Sequence, residues 1–348
     1  MPSVTNDSGG WSTFGSGAGR PVRAGWYRIE IGAPRRRHRQ NRHTRGLATT
    51  YVHLRQAGTL LRREAAGLIA SAVILLLVLA FRVPSEAGWP TGREAYCYWL
   101  PALTDPYARS DWTQPVAYVY SPAFLQAIAG LKILPWEAFL VAWTTILLLA
   151  VRYLVGHRLW AVAIAFTALE LLGGNIHILL AVAIVVGFRW PAAWGFVLLT
   201  KVTPGVGLLW FAVRREWRSL GIALGATVVV AAVSWVILPG AWADWVDVLG
   251  ASATKTVGTW AAIPVPLWLR LPAAVALVTW GARTDRRWTV PVAAMLALPA
   301  LWFGGASMLL AAVALAADQR RDDAPSRSDD QGGSRASWRT RGSTVPAA

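Results

Sequence analysis

Two apolar runs, Ala66 to Phe81 and Trp217 to Leu238, constrain this chain more than any motif does. Each approaches the ~20 residues that an α-helix needs to cross a ~30 Å hydrocarbon core. Charged residues make up only 15% of the chain and hydrophobic ones 55%. A soluble domain carries about 25% charge, so bulk water is not the main solvent. The sequence predicts an all-α, polytopic membrane protein of about nine or ten transmembrane helices.

The formal net charge of +16 is a statement about topology. Twelve arginines precede residue 64, including Arg35, Arg36, Arg37 and Arg39, against Asp7, Glu30 and Glu64. A basic block flanking a first span belongs in the cytoplasm by the positive-inside rule and attracts anionic lipid headgroups. It carries no recognisable nucleic-acid-binding module, so membrane lipid is the expected partner and nucleic acid is not. Residues 1–60 and 318–348 are polar, rich in Gly, Ser, Arg and Asp, and lack apolar periodicity. They read as a disordered basic cytoplasmic tail and a disordered C-terminal tail around a transmembrane domain at 61–317. Cys97 is the single cysteine, which excludes an intrachain disulfide.

Walking the membrane from Arg62 and Arg63, the first span runs outward and residues 83–117 form an outside loop. A return span is expected over 118–134. Trp136 to Val155 then goes out, Leu159 to Leu172 comes in, and Ile176 to Phe188 goes out. Ala192 to Val213 returns to Arg214, Arg215 and Arg218, which belong inside. Trp217 to Leu238 goes out to a second outside loop at 239–262, and Pro264 to Ala282 comes in to Arg283, Arg286 and Arg287. Trp288 to Ala317 is long for one helix; Gly304 and Gly305 permit a hairpin, which brings Arg320 and Arg321 back to the cytoplasm. Most of the 21 tryptophans fall at span ends, as an interfacial aromatic belt does. Trp89, Trp99 and Trp112 fall in the first outside loop, where a sugar can stack on an indole.

That loop also holds the chemistry. It carries REAYCYW, then DPYARSDWTQPVAYVYSP, ending at Pro122. Glu94 is its first carboxylate, with Asp105 and Asp111 behind it, and Arg93 and Arg109 are its cations. Tyr118 and Tyr120 are two apart, so an extended segment aims both the same way. They contact substrate or anchor the chain at the interface. Asp244, Asp247 and Lys255 in the second loop bind acceptor or form a solvated face.

Ionisable groups at membrane depth are costly and are usually functional or paired. Glu170, His177 and Lys201, with Asn175 beside them, are four such polar positions. Pro204 removes the backbone donor to Thr200, which predicts a break near Lys201, and broken helices at that depth line cavities. Glu170 and Lys201 either pair directly or snorkel; alternatively, Lys201 and His177 face a phosphate as cations. The linear topology places Asn175 and His177 near the cytoplasmic side, opposite Glu94.

EAYCYW, YVYSPAF, GNIH and LLTKVTPGVGLLWFAVRREW, in this order over roughly residues 66–317, resemble the family 87 glycosyltransferases. These are polyprenyl-phosphate-mannose-dependent membrane mannosyltransferases of actinobacteria, with the GT-C fold. The resemblance implies a hexosyltransferase of the cell membrane whose first extracytoplasmic loop carries the active site. It implies a polyprenyl-phosphate-sugar donor, a glycolipid or glycan acceptor hydroxyl, and inversion at the anomeric carbon. The family's catalytic aspartate falls at Glu94, with Tyr98 four residues on; glutamate keeps the carboxylate and extends it by one methylene. Arg93, Tyr98, Arg109, Tyr118, Tyr120, Asn175, His177 and Lys201 are then the substrate-binding set. No cofactor is implied: the chain has no HExxH, no thiolate set and no Walker-type GxxxxGK[ST]. A transporter or flippase for a lipid-linked or small polar solute is the competing class, motivated by the broken helix. The glutamate substitution keeps a non-catalytic member as a third.

Overall fold

The computed structural model describes Thr59 and residues 62–83, 91–108, 117–254 and 265–323, all within one compact unit that starts at Gly58. The expected N-terminal tail, apart from Thr59, and the C-terminal tail beyond Asp323 lie outside the described residues. Among the described residues the secondary structure is helical throughout, with one isolated β-bridge between Arg82 and Thr91. The protein is a polytopic all-α membrane protein.

The long apolar helices Arg62–Ala80 (α1) and Trp217–Ile237 (α10) show why water is not their solvent. Helix α10 buries only Ala223 and Ser234, while Val228, Val233 and Val236 lie open on its surface. An all-round apolar helix with so little protein cover is a lipid-facing one.

A third apolar helix, Trp136–Phe166 (α5), runs to 31 residues, but it is not one straight rod. Gly156 sits at φ 71°, ψ 175°, a conformation that glycine adopts without a Cβ penalty. The chain reverses there. Trp160 Nε1 donates to Leu148 O at 3.2 Å, although residues twelve apart in a straight helix are about 18 Å apart. The reversal matches the break expected between Val155 and Leu159.

The direction of these arms departs from expectation. Arg152 pairs with Glu64 (Nη2–Oε1 2.6 Å), and Trp160 lies against Gly67, so the Gly156 turn sits at the α1 start. At the other end Arg82 meets Glu137 at 3.1 Å, and Trp136 Nε1 donates to Val83 O. The first arm of α5 therefore runs opposite to the predicted direction. The cause is residues 118–134, which do not cross. They form the short helices Pro122–Ala127 (α3) and Ala129–Lys132 (α4), interrupted at Ile128 (φ −96°, ψ 4°). Both ends stay beside the first loop: Tyr107 Oη donates to Tyr120 O at 2.6 Å, Lys132 Nζ to Tyr98 O at 2.8 Å, and Trp99 Nε1 to Leu134 O at 3.0 Å.

A second departure from the expected spans follows. Trp194–Thr200 (α8) and Leu209–Val213 (α9), joined by a 3₁₀ turn at Thr203–Leu208, fold back on each other rather than forming the single span expected over 192–213. Gly207 packs on the Trp194 ring and Gly205 on Leu198. The tip of this hairpin is Lys201, extended at φ −141°, ψ 109°. A second hairpin, the one that Gly304 and Gly305 permit, joins Thr289–Leu296 (α13) through a 3₁₀ turn at Phe303–Met308 to Leu309–Asp322 (α14). Helix α14 continues through residues 318–322, where the sequence pattern leads into a tail, because Gln319 accepts from Arg287 N (3.1 Å) and donates to Asp285 O.

The bundle thus has a loop end, carrying Arg93–Trp99 (α2), and an arginine-rich end, where Arg214 reaches Asp285 at 2.8 Å and Arg287 reaches Asp322 at 3.8 Å. Helix His177–Gly187 (α7), at 11 residues, and α8, at 7 residues, rise about 16 and 10 Å. Neither crosses a ~30 Å core. Their ends at His177 and Lys201 meet inside the bundle, where protein surrounds the irregular backbone.

Candidate active site

Three elements meet at the loop end: α2, the turn between Ala168–Gly173 (α6) and α7, and the Lys201 tip. Helix α2 is seated on that turn. Gly92 N donates to Leu172 O at 2.6 Å, and Ala95 lies against Gly174, which adopts φ +72°. Trp143 Nε1 holds the other side of the turn by donating to Gly174 O at 2.7 Å. An aromatic floor lies under α2. Tyr98 packs edge-on against Tyr120, Phe124 and Trp143, with ring centroids 5.2, 5.3 and 5.4 Å apart. Such pairs contribute roughly 0.5–1.5 kcal/mol each beyond burial, enough together to fix the helix.

The cluster on this floor is polar. Glu170 is 2% exposed and His177 fully buried. Glu170 Oε1 accepts from the backbone N–H of His177, the first residue of α7, at 2.7 Å. The same carboxylate lies 3.1 Å (Oε1) and 3.2 Å (Oε2) from His177 Nδ1. A carboxylate at a helix N-terminus meets unpaired N–H groups and the positive end of the dipole. Gly304, at the second hairpin turn, backs onto Oε2, and a Cβ there would lie 2.6 Å from it. On its far side His177 Nε2 lies 2.7 Å from Lys201 Nζ. Glu170 and Lys201 are therefore joined through His177 rather than paired directly.

Lys201 and Glu94, unlike this buried core, are partly open. The Lys201 ammonium stands 5.8 Å from the centre of the Tyr120 ring, a cation–π distance. Glu94 projects from the first turn of α2 toward Gly173, 3.9 Å from where a Cβ there would stand. Burial lifts its carboxyl above the usual carboxylate range; Lys201 pulls it down, Glu170 adds to the rise, and Arg93 pulls it down again. The cluster thus holds a carboxylate with a raised pKa and an ammonium that acts on it, the kinds of group that can serve as a base and an anion stabiliser.

The expected residues are thus largely gathered. Glu94, Tyr98, Tyr120, Asn175, His177 and Lys201 form one cluster, which corrects the linear topology that set Asn175 and His177 opposite Glu94. The reason is the short, broken segment at 118–134: because its ends both stay beside the first loop, the α5 arms run opposite to expectation and the α6–α7 turn comes to the loop end. Tyr98 Oη lies 3.2 Å from Tyr120 Oη and donates to Asn175 Oδ1 at 3.3 Å; Asn175 Oδ1 also accepts from Ile176 N at 2.7 Å. His177 is enclosed between Glu170 and Lys201, so it faces no open space. Tyr118 is one layer back, its hydroxyl donating to Ser121 O at 2.8 Å and its ring 5.7 Å from that of Tyr107. Arg93 is exposed at the α2 start. Asp105 is exposed away from the cluster, and Arg109, Asp111, Trp89, Trp112 and Lys255 lie outside the described residues. Asp244 and Asp247 occupy the exposed side of Pro239–Thr254 (α11), whose Ala241, Trp245 and Val248 pack inward. Gly304 is not among the expected site residues, and Glu170, although one of the four polar positions, is not in the expected substrate-binding set. The signal for Glu170 was its depth in an apolar run; Gly304 gave none beyond its turn propensity.

A cleft of about 360 Å³ lies at the other end, lined by Thr284, Asp285, Arg286, Trp288, Gln319 and Arg320 among others. It holds no buried acid or base and is remote from the cluster.

Neither a curated protein nor a solved structure matches the chain. The family model for glycosyltransferase family 87 does, over residues 118–328. The matched stretch contains Tyr120, Glu170, Asn175, His177, Lys201 and Gly304, and starts after α2 and Glu94. It spans more than half of a chain whose helices make a membrane protein, and on that match the chain belongs to glycosyltransferase family 87.

Proposed function

We propose that this membrane glycosyltransferase moves a sugar, mannose by its family resemblance, from a polyprenyl-phosphate donor to a hydroxyl of a glycolipid or glycan. The observation that carries the reading is the pair of partly open groups, Glu94 and Lys201, in one cluster and near enough for the ammonium to pull the carboxyl's pKa down. Glu94 takes the proton of the acceptor hydroxyl. The oxygen attacks the anomeric carbon from the side opposite the phosphate, a new C–O bond forms, and the configuration inverts. The old anomeric C–O bond breaks toward the phosphate, which leaves as polyprenyl phosphate with the electron pair. The charge that grows on this phosphate is met by the Lys201 ammonium, already in place before reaction. Arg93 at the α2 start and Arg109 in the same loop supply further cations, and the Tyr98, Tyr120 and Asn175 group frames the sugar. Glu94 meets the geometric demand on a base, reach within about 3 Å of the proton, if the acceptor lies against α2.

A donor carried on a lipid suits a site sunk between half-length helices, which a polyprenyl chain can reach from the bilayer. The positive-inside rule orients the molecule. The arginines at 62, 63, 214, 215, 286, 287, 320 and 321 flank one end, so that end faces the cytoplasm and Glu94 opens to the extracytoplasmic face.

The test is sugar transfer in membranes containing the chain, with radiolabelled polyprenyl-phosphate mannose and a crude lipid extract as acceptor pool. Labelled product with the wild type and none with Glu94→Gln is the expected result. Full activity of Glu94→Gln removes Glu94 as the base. Movement of the lipid-linked sugar across vesicles with no transfer assigns a flippase instead.

A further inference from the structure

The three members of the buried chain are consistent with only one set of proton positions when both ends are charged. An ionised Glu170 carboxylate only accepts hydrogen bonds, and the Lys201 ammonium only donates them. His177 lies between them, with Nδ1 3.1 Å from Glu170 Oε1 and Nε2 2.7 Å from Lys201 Nζ. Nδ1 must then carry the hydrogen, and Nε2 must present its lone pair to Lys201. An imidazolium would turn an N–H toward the ammonium, donor against donor. Glu170 is held in turn by the backbone N–H of His177 at 2.7 Å. The contacts between Glu170 and His177 are buried, so water does not compete for them, while the Lys201 end of the chain is partly open.

We propose that Glu170 and His177 are positioning residues that aim the Lys201 ammonium. One N–H of Lys201 is committed to His177 Nε2, which leaves its remaining donors to a partly open cluster with the Tyr120 ring 5.8 Å away and Glu94 within its electrostatic reach. His177 thus acts through Lys201 and does not itself meet the substrate. The proposal rests on the reading of Lys201 as the cation for the donor phosphate. It extends that reading to specificity: a cation fixed at one point suits a compact phosphate monoanion carried on a lipid and disfavours a neutral leaving group.

The experiment separates aiming from packing. In purified protein labelled with ¹⁵N-histidine, the His177 resonance, identified by its loss in His177→Leu, should show the neutral tautomer with Nδ1 protonated and Nε2 bare. A protonated Nε2 in the wild type, in either the other tautomer or the imidazolium, overturns the proposal. This measurement needs no ligand, so it stands whatever the donor proves to be. The second readout compares His177→Gln with His177→Leu. Glutamine keeps a donor for Glu170 and an acceptor for Lys201; leucine keeps bulk and offers neither. His177→Gln should stay within a few-fold of wild type, while His177→Leu loses about tenfold or more in kcat/KM and in binding of polyprenyl phosphate. In a Lys201→Ala background the same two variants should be equal. Equal activity of the two in the Lys201 background of the wild type, or a further loss from His177→Leu after Lys201→Ala, assigns His177 a packing role only. Absence of polyprenyl phosphate binding by the wild type overturns the donor reading, and the tautomer then decides this inference alone.

Discussion

Gly174 and Ala95 touch so closely that a Cβ on Gly174 would stand 2.7 Å from that of Ala95. This contact joins the α6–α7 turn to α2, and so sets how far Glu94 stands from Lys201. Gly174 also adopts φ +72°, which costs a non-glycine residue about 1 kcal/mol or more.

Gly174→Ala should therefore act twice. The backbone strain lowers Tm by an amount corresponding to roughly 1–2 kcal/mol. The clash also pushes α2 outward, and transfer should fall by about 10² because a 1 Å misplacement of a catalytic group has that order of effect. Thermal melts and transfer rates on the same preparation check it. A loss of activity no larger than the loss of folded protein would mean the contact does not set the site.

Lys132 holds the other end of the same helix. Its ammonium donates to Tyr98 O and Trp99 O, capping the last turn where carbonyls lack helical partners and the dipole is negative. Lys132→Met keeps the apolar stem and removes the cap. The expected cost is about 1–2 kcal/mol of stability, together with a raised KM as α2 frays. Lys132→Arg should restore most of both, measured by melting and by initial rates against donor concentration.

These two contacts also show what the sequence could and could not reveal. Hydropathy disclosed the membrane class and the long helices α1 and α10, because an uninterrupted apolar run has one physical solution in lipid. The break at Lys201 followed from Pro204, and the hairpin near Gly304 from paired glycines. The short, broken segment at 118–134 is not legible. Its residues are apolar enough to span, and long-range bonds such as those from Lys132 to Tyr98 O and from Trp99 to Leu134 O hold it at the loop end. Those bonds join residues 33–35 positions apart, which no local pattern encodes. One misassigned crossing then placed Glu170 and His177 at the wrong end, although both had been singled out by their depth. Glu170 and Lys201 are not paired directly, and the intervening imidazole becomes visible only in three dimensions.

Arg270 supports the second hairpin from outside the site. It is 6% exposed and donates to Val265 O, Leu296 O, Leu298 O and Pro299 O at 2.7, 2.5, 2.9 and 3.1 Å. These carbonyls belong largely to the break between α13 and the Phe303–Met308 turn, where the helix no longer supplies partners. Arg270→Met leaves them unpaired and should cost about 3–5 kcal/mol. Because Gly304 backs onto Glu170, residual folded protein should also transfer more slowly. Protection of the 297–302 amides in hydrogen exchange is the direct measurement, and unchanged protection would refute the clamp.

Glu94 provides the pH dependence. Its carboxyl lies above the ordinary glutamate value because of burial, with Glu170 adding to the rise and Lys201 and Arg93 opposing it. The base works only when ionised, so the acid limb of the rate profile should lie above the ~4.3 of a free glutamate. The sign for stability is the reverse of the usual carboxylate case. A group with a raised folded pKa contributes stability that is complete below the unfolded value and is lost as pH rises through the folded one. Ionised Glu94 therefore weakens the fold at neutral pH, as functional groups held for chemistry often do. Glu94→Gln should reduce transfer by about 10²–10⁴ while melting no lower than wild type at pH 7. The stability gap in favour of glutamine should widen from pH 4 toward neutrality and close at lower pH. Melting curves of the two proteins across that range, alongside transfer rates, measure both effects; a wild type that gains stability over Glu94→Gln as pH rises would show a Glu94 stabilised as the anion rather than held for proton transfer.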